Sequence, residues 1–106
     1  MPSDDDLSIG ELVDQITVDA YGDEGYWSFL QAFDDHLNFP LAATVLGMSV
    51  RVTKVDFDGD ERRGITAIVT RDGHTSTLSL LDVALDDGEV DARRLLAAYR
   101  KWLGIA

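Results

Sequence analysis

The strongest constraint on the fold is a change of hydrophobic period at Phe39-Pro40. Before this point, apolar residues recur every three or four positions, as in a helix that buries one face. After it, they alternate with polar residues, as in strands with one buried side. Because the residue before a proline avoids the helical region, a helix must end here. The chain is therefore predicted to join a helical N-terminal part to a β-sheet.

Three amphipathic helices are predicted. The first covers about 9–18 and begins at an S-x-x-E capping box made by Ser8 and Glu11. The second covers about 23–37. The third covers about 89–103, where basic residues in the last turn suit the negative end of the helix dipole. Each has an apolar stripe that marks the face it buries.

Residues 41–81 are predicted to form an antiparallel meander. Asp58-Gly59 and Asp72-Gly73 are expected to be tight turns, since Asp-Gly favours two-residue hairpins. The alternation changes parity near Thr53-Lys54, which indicates a β-bulge. The predicted fold class is α+β: N-terminal helices, a small antiparallel meander or SH3-like barrel, and a C-terminal helix.

The length of 106 residues fits one domain. Residues 1–7 are expected to be a flexible acidic tail, and residues 8–106 a single α+β domain. The acidic N-terminus does not resemble a secretory signal, and no apolar run is long enough to span a bilayer. These features predict a cytoplasmic protein without a membrane partner.

The net charge of −11 restricts the possible partners. It repels nucleic-acid phosphates and anionic lipids, so neither is expected to bind. It favours cations or a basic protein partner. An alternative is that the acidity reflects only solubility or adaptation to a salty cytoplasm. Nothing in the sequence indicates an oligomeric state.

The sequence contains no recognisable catalytic motif. It has no cysteine, which excludes thiolate nucleophiles and cysteine-bound metals. The glycine patterns of phosphate and dinucleotide loops are absent, as are the nucleophile elbow and the H-E-x-x-H zinc motif. The chain is therefore not expected to be an enzyme.

A short acidic segment around Gly59 is the main candidate metal site. Ca²⁺ takes six to eight oxygen ligands, and carboxylates clustered on a turn can supply several. The spacing does not match an EF-hand loop. Arg62 and Arg63 follow at once, so a solvated hairpin neutralised by arginine is the alternative interpretation. The candidate ligands are Asp56, Asp58, Asp60 and Glu61.

One stretch of the chain resembles a known family. The matching residues are Val18-Asp19-Ala20-Tyr21, Glu24, Trp27, Leu30, Leu37, Phe39-Pro40-Leu41-Ala42-Ala43 and the strand Gly47–Val52. They resemble the small bacterial calcium-binding proteins typified by the cyanobacterial CcbP, over about residues 17–57. Leu41 stands where that family has a second phenylalanine.

This resemblance implies a shared fold and Ca²⁺ as a ligand. Asp19 and Glu24 are the acids on the matched pattern, and they form a second candidate metal locus. The predicted function is low-affinity Ca²⁺ binding, as a buffer or a sensor. The alternative is an acidic interaction module that docks a basic protein.

Overall fold

The computed structural model describes residues 8–18, 20 and 24–105. The predicted tail, residues 1–7, lies outside them. No helix in the described part is long and apolar enough to cross a bilayer. The elements in chain order are α1 (Ile9–Ile16), α2 (Glu24–His36), β1 (Leu41–Val45), β2 (Met48–Asp56), β3 (Thr66–Arg71), β4 (His74–Ser79), a 3₁₀ turn (Leu80–Asp82), β5 (Ala84–Leu85) and α3 (Val90–Leu103). The α+β prediction is confirmed.

Helix α1 begins at the predicted capping box. The Glu11 N–H donates to the Ser8 hydroxyl at 3.1 Å, and that hydroxyl donates to Glu11 Oε1 at 3.1 Å. The helix ends two residues earlier than predicted, at Ile16. The reason is local: the Thr17 hydroxyl and N–H both bond to the Val13 carbonyl, at 2.8 and 3.0 Å, and close the last turn.

Helices α2 and α3 bury the stripes that their periodicity predicts. Phe29 and Phe33 of α2 are almost completely buried, as is Tyr99 of α3. The two helices approach closely at Gly25, where an added Cβ would overlap the ring of Trp102. A glycine is therefore required at this crossing by packing rather than by backbone conformation.

The five strands form one antiparallel sheet in the order β4-β3-β2-β1-β5. The meander from β1 to β4 is confirmed, and so is the bulge, which shifts the β2–β3 register between Val52 and Lys54. The sheet is open, so the barrel alternative is not realised. Closure would require β1 to pair with β4, but β1 instead pairs with β5, a strand that the sequence did not predict.

One side of the sheet is apolar and packs on the helices. The helical layer buries Leu41, Val52, Val55 and Ala67 on this inner side. The outer side carries mostly threonine, serine and charged residues. The inner side also extends beyond the helices, toward the tight turns at the other end of the strands, where its apolar residues are only half-buried.

The two predicted Asp-Gly turns differ. Asp72-Gly73 is a two-residue turn with φ values of 50° and 82°, as predicted. Asp58-Gly59 is not a tight turn, because β2 ends at Asp56 and β3 begins at Thr66. Residues 57–65 form a longer connection, which we call the β2–β3 loop. A further tight turn, unpredicted, lies at Leu46-Gly47 between β1 and β2.

Candidate functional site

The β2–β3 loop is anchored to the helices by aromatic side chains. Phe57, at its start, is buried and stacks on Tyr26 of α2 with ring centroids 4.8 Å apart. At its end, the Ile65 N–H donates to the Tyr99 hydroxyl of α3 at 2.9 Å. Gly64 adopts a φ of 64° directly against this hydroxyl, where a Cβ would come within 2.5 Å. The loop is therefore fixed at both ends by tertiary contacts.

The aspartates of the loop orient its backbone. Asp58 Oδ1 accepts a hydrogen bond from the Asp60 N–H at 2.9 Å, and Asp60 Oδ1 accepts one from the Arg62 N–H at 2.9 Å. These are two successive Asx turns, a local structure that aspartate favours. Asp56 Oδ1 accepts from the N–H of the next residue, Phe57, at 2.9 Å. Three of the predicted ligands thus shape the loop itself.

An arginine neutralises part of the cluster. Arg63 Nη1 lies 3.0 Å from Asp58 Oδ2, and both side chains are about half exposed, at 61% and 47%. Exposed pairs of this kind contribute roughly 0–1 kcal/mol, because water screens them. The sequence-based alternative, in which an arginine pairs with the acidic turn, is confirmed for Arg63.

Glu61, the fourth predicted ligand, lies exposed where the loop meets α2. Its backbone carbonyl accepts a hydrogen bond from the Tyr26 hydroxyl at 3.3 Å. Partial burial raises the pKa of Tyr26 above 10.0, and the negative charge of Glu61 raises it further. The position of the Glu61 backbone is therefore set by α2. Sequence reasoning placed Tyr26 only in the apolar stripe of that helix and missed this contact.

The second candidate locus is only partly described. Asp19 lies outside the described residues. Glu24 is exposed in the first turn of α2, where a negative charge suits the helix dipole. Across the described residues, no three acidic or histidine side chains come together in a way that could hold a metal ion. The loop carboxylates are neighbours in sequence but do not converge on one point.

The crystal structure of CcbP from Anabaena is similar to this chain. The two align with a TM-score of 0.75, over 97% of this chain and 93% of that one, at 22% sequence identity. The chain has the CcbP fold. No protein-family model matches the chain, and no curated protein matches it in sequence. The similarity to the CcbP fold extends well beyond residues 17–57, to which the sequence resemblance was limited.

Proposed function

We propose that this protein binds Ca²⁺ reversibly and with low affinity through the carboxylates of the β2–β3 loop. The observation that carries the proposal is the pair of Asx turns, in which backbone N–H groups already orient the carboxylates of Asp58 and Asp60. The CcbP fold, the residues that resemble calcium-binding proteins and the net charge of −11 support it. The proposed role is binding, not catalysis.

The chemistry of the loop suits a hard cation. In each Asx turn one carboxylate oxygen accepts from the backbone and the other can serve as a ligand, at Asp58 by displacing Arg63. Because the loop carboxylates do not converge on one point, binding must draw the exposed side chains of Asp56 and Glu61 toward the cation. Ca²⁺ tolerates irregular coordination, so backbone carbonyls and water would complete the six to eight ligands. Mg²⁺ should bind less well, because it demands a near-ideal octahedron and gives up its waters reluctantly.

The Arg63–Asp58 pair limits the affinity. Binding a cation at Asp58 requires Arg63 to release Oδ2, and the pair is weak because it is half exposed. The dissociation constant should therefore be on the order of 10⁻⁵–10⁻³ M, in the range of exposed calcium sites. Asp19 and Glu24 remain the candidates for a second locus.

Calorimetric titration with Ca²⁺ and Mg²⁺ at physiological salt tests the proposal. The double substitution Asp58→Asn and Asp60→Asn keeps the oxygens that accept the backbone bonds but removes two charges. It should weaken Ca²⁺ binding by about tenfold or more, a loss of roughly 1.4 kcal/mol or greater. The matched control is Asp72→Asn with Asp86→Asn. It also removes two exposed charges, at the other end of the sheet, and should leave the affinity nearly unchanged.

The single substitution Arg63→Gln gives the opposite expectation. It removes the competing cation from Asp58, so Ca²⁺ affinity should rise severalfold. Equal responses to Ca²⁺ and Mg²⁺, with both double variants behaving like the parent, would mean that cations act only by screening. The proposed site would then be rejected in favour of an acidic docking surface or salt adaptation.

Buffer and sensor roles differ in whether the loop moves. Trp27 packs edge-on against Phe57, at the loop's start, with ring centroids 4.9 Å apart. A sensor should therefore change the fluorescence of Trp27 on adding Ca²⁺. A Trp102→Phe background removes the other tryptophan, so that the signal is assigned to Trp27.

A further inference from the structure

The two edges of the sheet are protected to different extents. At one edge, β5 has two residues, and the exposed Asp82 and Asp86 lie close to it in sequence. At the other edge, β4 has six residues with no proline, glycine, lysine or acidic side chain. Proteins commonly guard edge strands against pairing by shortness, charge, proline or bulges. The β4 edge carries none of these, apart from the histidine at its start.

Among the residues that the structure describes, alternate residues of β4 have no strand partner for their backbone groups. The Leu80 N–H donates to the Ile65 carbonyl at 3.0 Å, and the β3–β4 register continues from this pair without a shift. Even-numbered residues of β4 therefore bond to β3, and odd-numbered ones point their N–H and C=O groups away from the sheet. Those outward-facing residues are Thr75, Thr77 and Ser79.

An apolar surface that none of the three helices covers adjoins this edge. Beyond the helices, the inner side of the sheet forms a shallow trough of about 350 Å³, whose floor includes Val45, Met48 and Val50. Ser76 and Leu78 of β4 line one side of it. The trough therefore lies beside the free edge of β4, and a strand added to that edge would extend the trough.

Charge is unevenly distributed between this surface and the rest of the chain. Residues 41–56 and 66–79 carry three basic and two acidic side chains, a net charge of +1, whereas the whole chain has −11. The remaining segments together carry −12, so repulsion between two copies of the chain arises mainly outside strands β1–β4. A contact through β4 therefore brings together nearly neutral parts of the two copies.

We propose that a second copy of this chain pairs with the free edge of β4 in antiparallel fashion, about a two-fold axis beside Thr77. In this register Thr77 faces its own copy, and Thr75 faces the partner's Ser79. Threonine–threonine and threonine–serine pairs are favourable across antiparallel strands. A two-fold contact requires such a self-complementary surface. The troughs of the two copies then adjoin, with Leu78 next to the partner's Ser76.

The dimer is expected to be weak and salt-dependent. A single strand pair with a shallow apolar trough is a small interface, and small interfaces belong to transient complexes. Salt screens the repulsion between the acidic parts of the two copies, so dimerisation should strengthen as ionic strength rises. This is opposite to the effect of salt on a contact between oppositely charged partners.

Sedimentation equilibrium over a wide concentration range, in buffer with a chelator, tests the pairing independently of Ca²⁺. The parent mass should rise from 11.7 kDa toward twice that value, and more readily at high salt. Thr77→Pro removes an outward N–H without breaking the β3–β4 ladder, and should weaken association by about tenfold or more. Thr77→Lys places two like charges at the axis and should act in the same direction.

The matched control is Ser49→Lys. It makes the same charge change on the same outer side of the sheet, but in β2, an interior strand. This variant should dimerise like the parent. A mass that stays at 11.7 kDa at every concentration and salt level overturns the proposal. Undiminished association of Thr77→Lys also overturns it, since the contact would then lie elsewhere. Circular dichroism checks that Thr77→Pro is folded. If the proline variant is unfolded, the association of Thr77→Lys alone tests the proposal.

Discussion

The two ends of the sheet connect neighbouring antiparallel strands in different ways. At both ends an Asp-Gly pair lies between antiparallel strands. Asp72-Gly73 forms a tight turn by its own backbone preferences, and an added Cβ at Gly73 would meet open space. Asp58-Gly59 lies in a longer loop, whose backbone forms hydrogen bonds with the hydroxyl groups of Tyr26 and Tyr99. Identical local chemistry thus gives a turn in one place and a loop in the other.

The two ends of the sheet obtain their stability from different sources. The tight-turn end depends on local conformation, since the helices do not cover it. The loop end depends on a cluster of rings beneath it, in which Tyr26 contacts Phe57 and Trp102, and Trp102 contacts Phe29. Changes at the loop end should therefore be costly through packing, and changes at the tight-turn end only through backbone strain.

The largest effect is expected from Trp102→Ala. Its ring packs on Tyr26 and Phe29, with centroids 4.8 and 5.4 Å apart, so its removal leaves a cavity between α2 and α3. The free energy of unfolding should fall by about 3–5 kcal/mol. Chemical denaturation measures the loss. Trp27→Ala is the control: this ring is 49% exposed and should cost about 1 kcal/mol. Similar losses for both would show that the ring cluster does not hold this end.

The next largest loss of stability is expected from Gly64→Ala, at the loop end of the sheet. Gly64 and Gly73 both have positive φ, at 64° and 82°, but only Gly64 lies against another residue, the Tyr99 hydroxyl. Gly64→Ala should add overpacking to backbone strain and cost roughly 2–4 kcal/mol. Differential scanning calorimetry and denaturant titration can both measure it. A cost no larger than that of Gly73→Ala would contradict the proposed anchoring of the loop.

Gly73→Ala should have a smaller effect. The added methyl group meets nothing within 4 Å, so only the left-handed conformation penalises it. The expected loss is about 1–2 kcal/mol. Gly73→Asn is the control, because asparagine tolerates this conformation and should cost less than alanine. If asparagine and alanine cost the same, backbone strain is not what limits this turn.

The smallest expected effect is on the free energy of unfolding at alkaline pH. Burial raises the pKa of both Tyr26 and Tyr99 above 10.0, so each tyrosine keeps its proton in the folded state to higher pH than in the unfolded state. The contribution of the two protonated tyrosines to the free energy of unfolding is fully present below pH 10 and is lost as the pH rises through the folded-state pKa. The double variant Tyr26→Phe, Tyr99→Phe should therefore show a shallower fall of unfolding free energy above pH 10. An unchanged slope would assign alkaline destabilisation to other groups.

Local sequence signals predicted much of the fold. The capping box at Ser8 and Glu11, the bulge beside Thr53 and the three amphipathic helices depend on residues within a few positions of each other. Hydrophobic period and capping report such short-range preferences directly. The candidate ligands of the loop were also visible as a dense run of acids, but the two Asx turns at Asp58 and Asp60 were not predicted.

Two features of the fold depend on contacts between residues that are distant in sequence. The length of the β2–β3 loop follows from the Ile65–Tyr99 hydrogen bond, which joins positions 34 residues apart. The pairing of β5 with β1 keeps the sheet open and leaves β4 at its edge. No local pattern encodes either feature, because a turn preference worth about 1 kcal/mol is overridden when packing across the core contributes several. The sequence determined which segments are helices and strands, and long-range packing determined which of their edges and loops remain exposed.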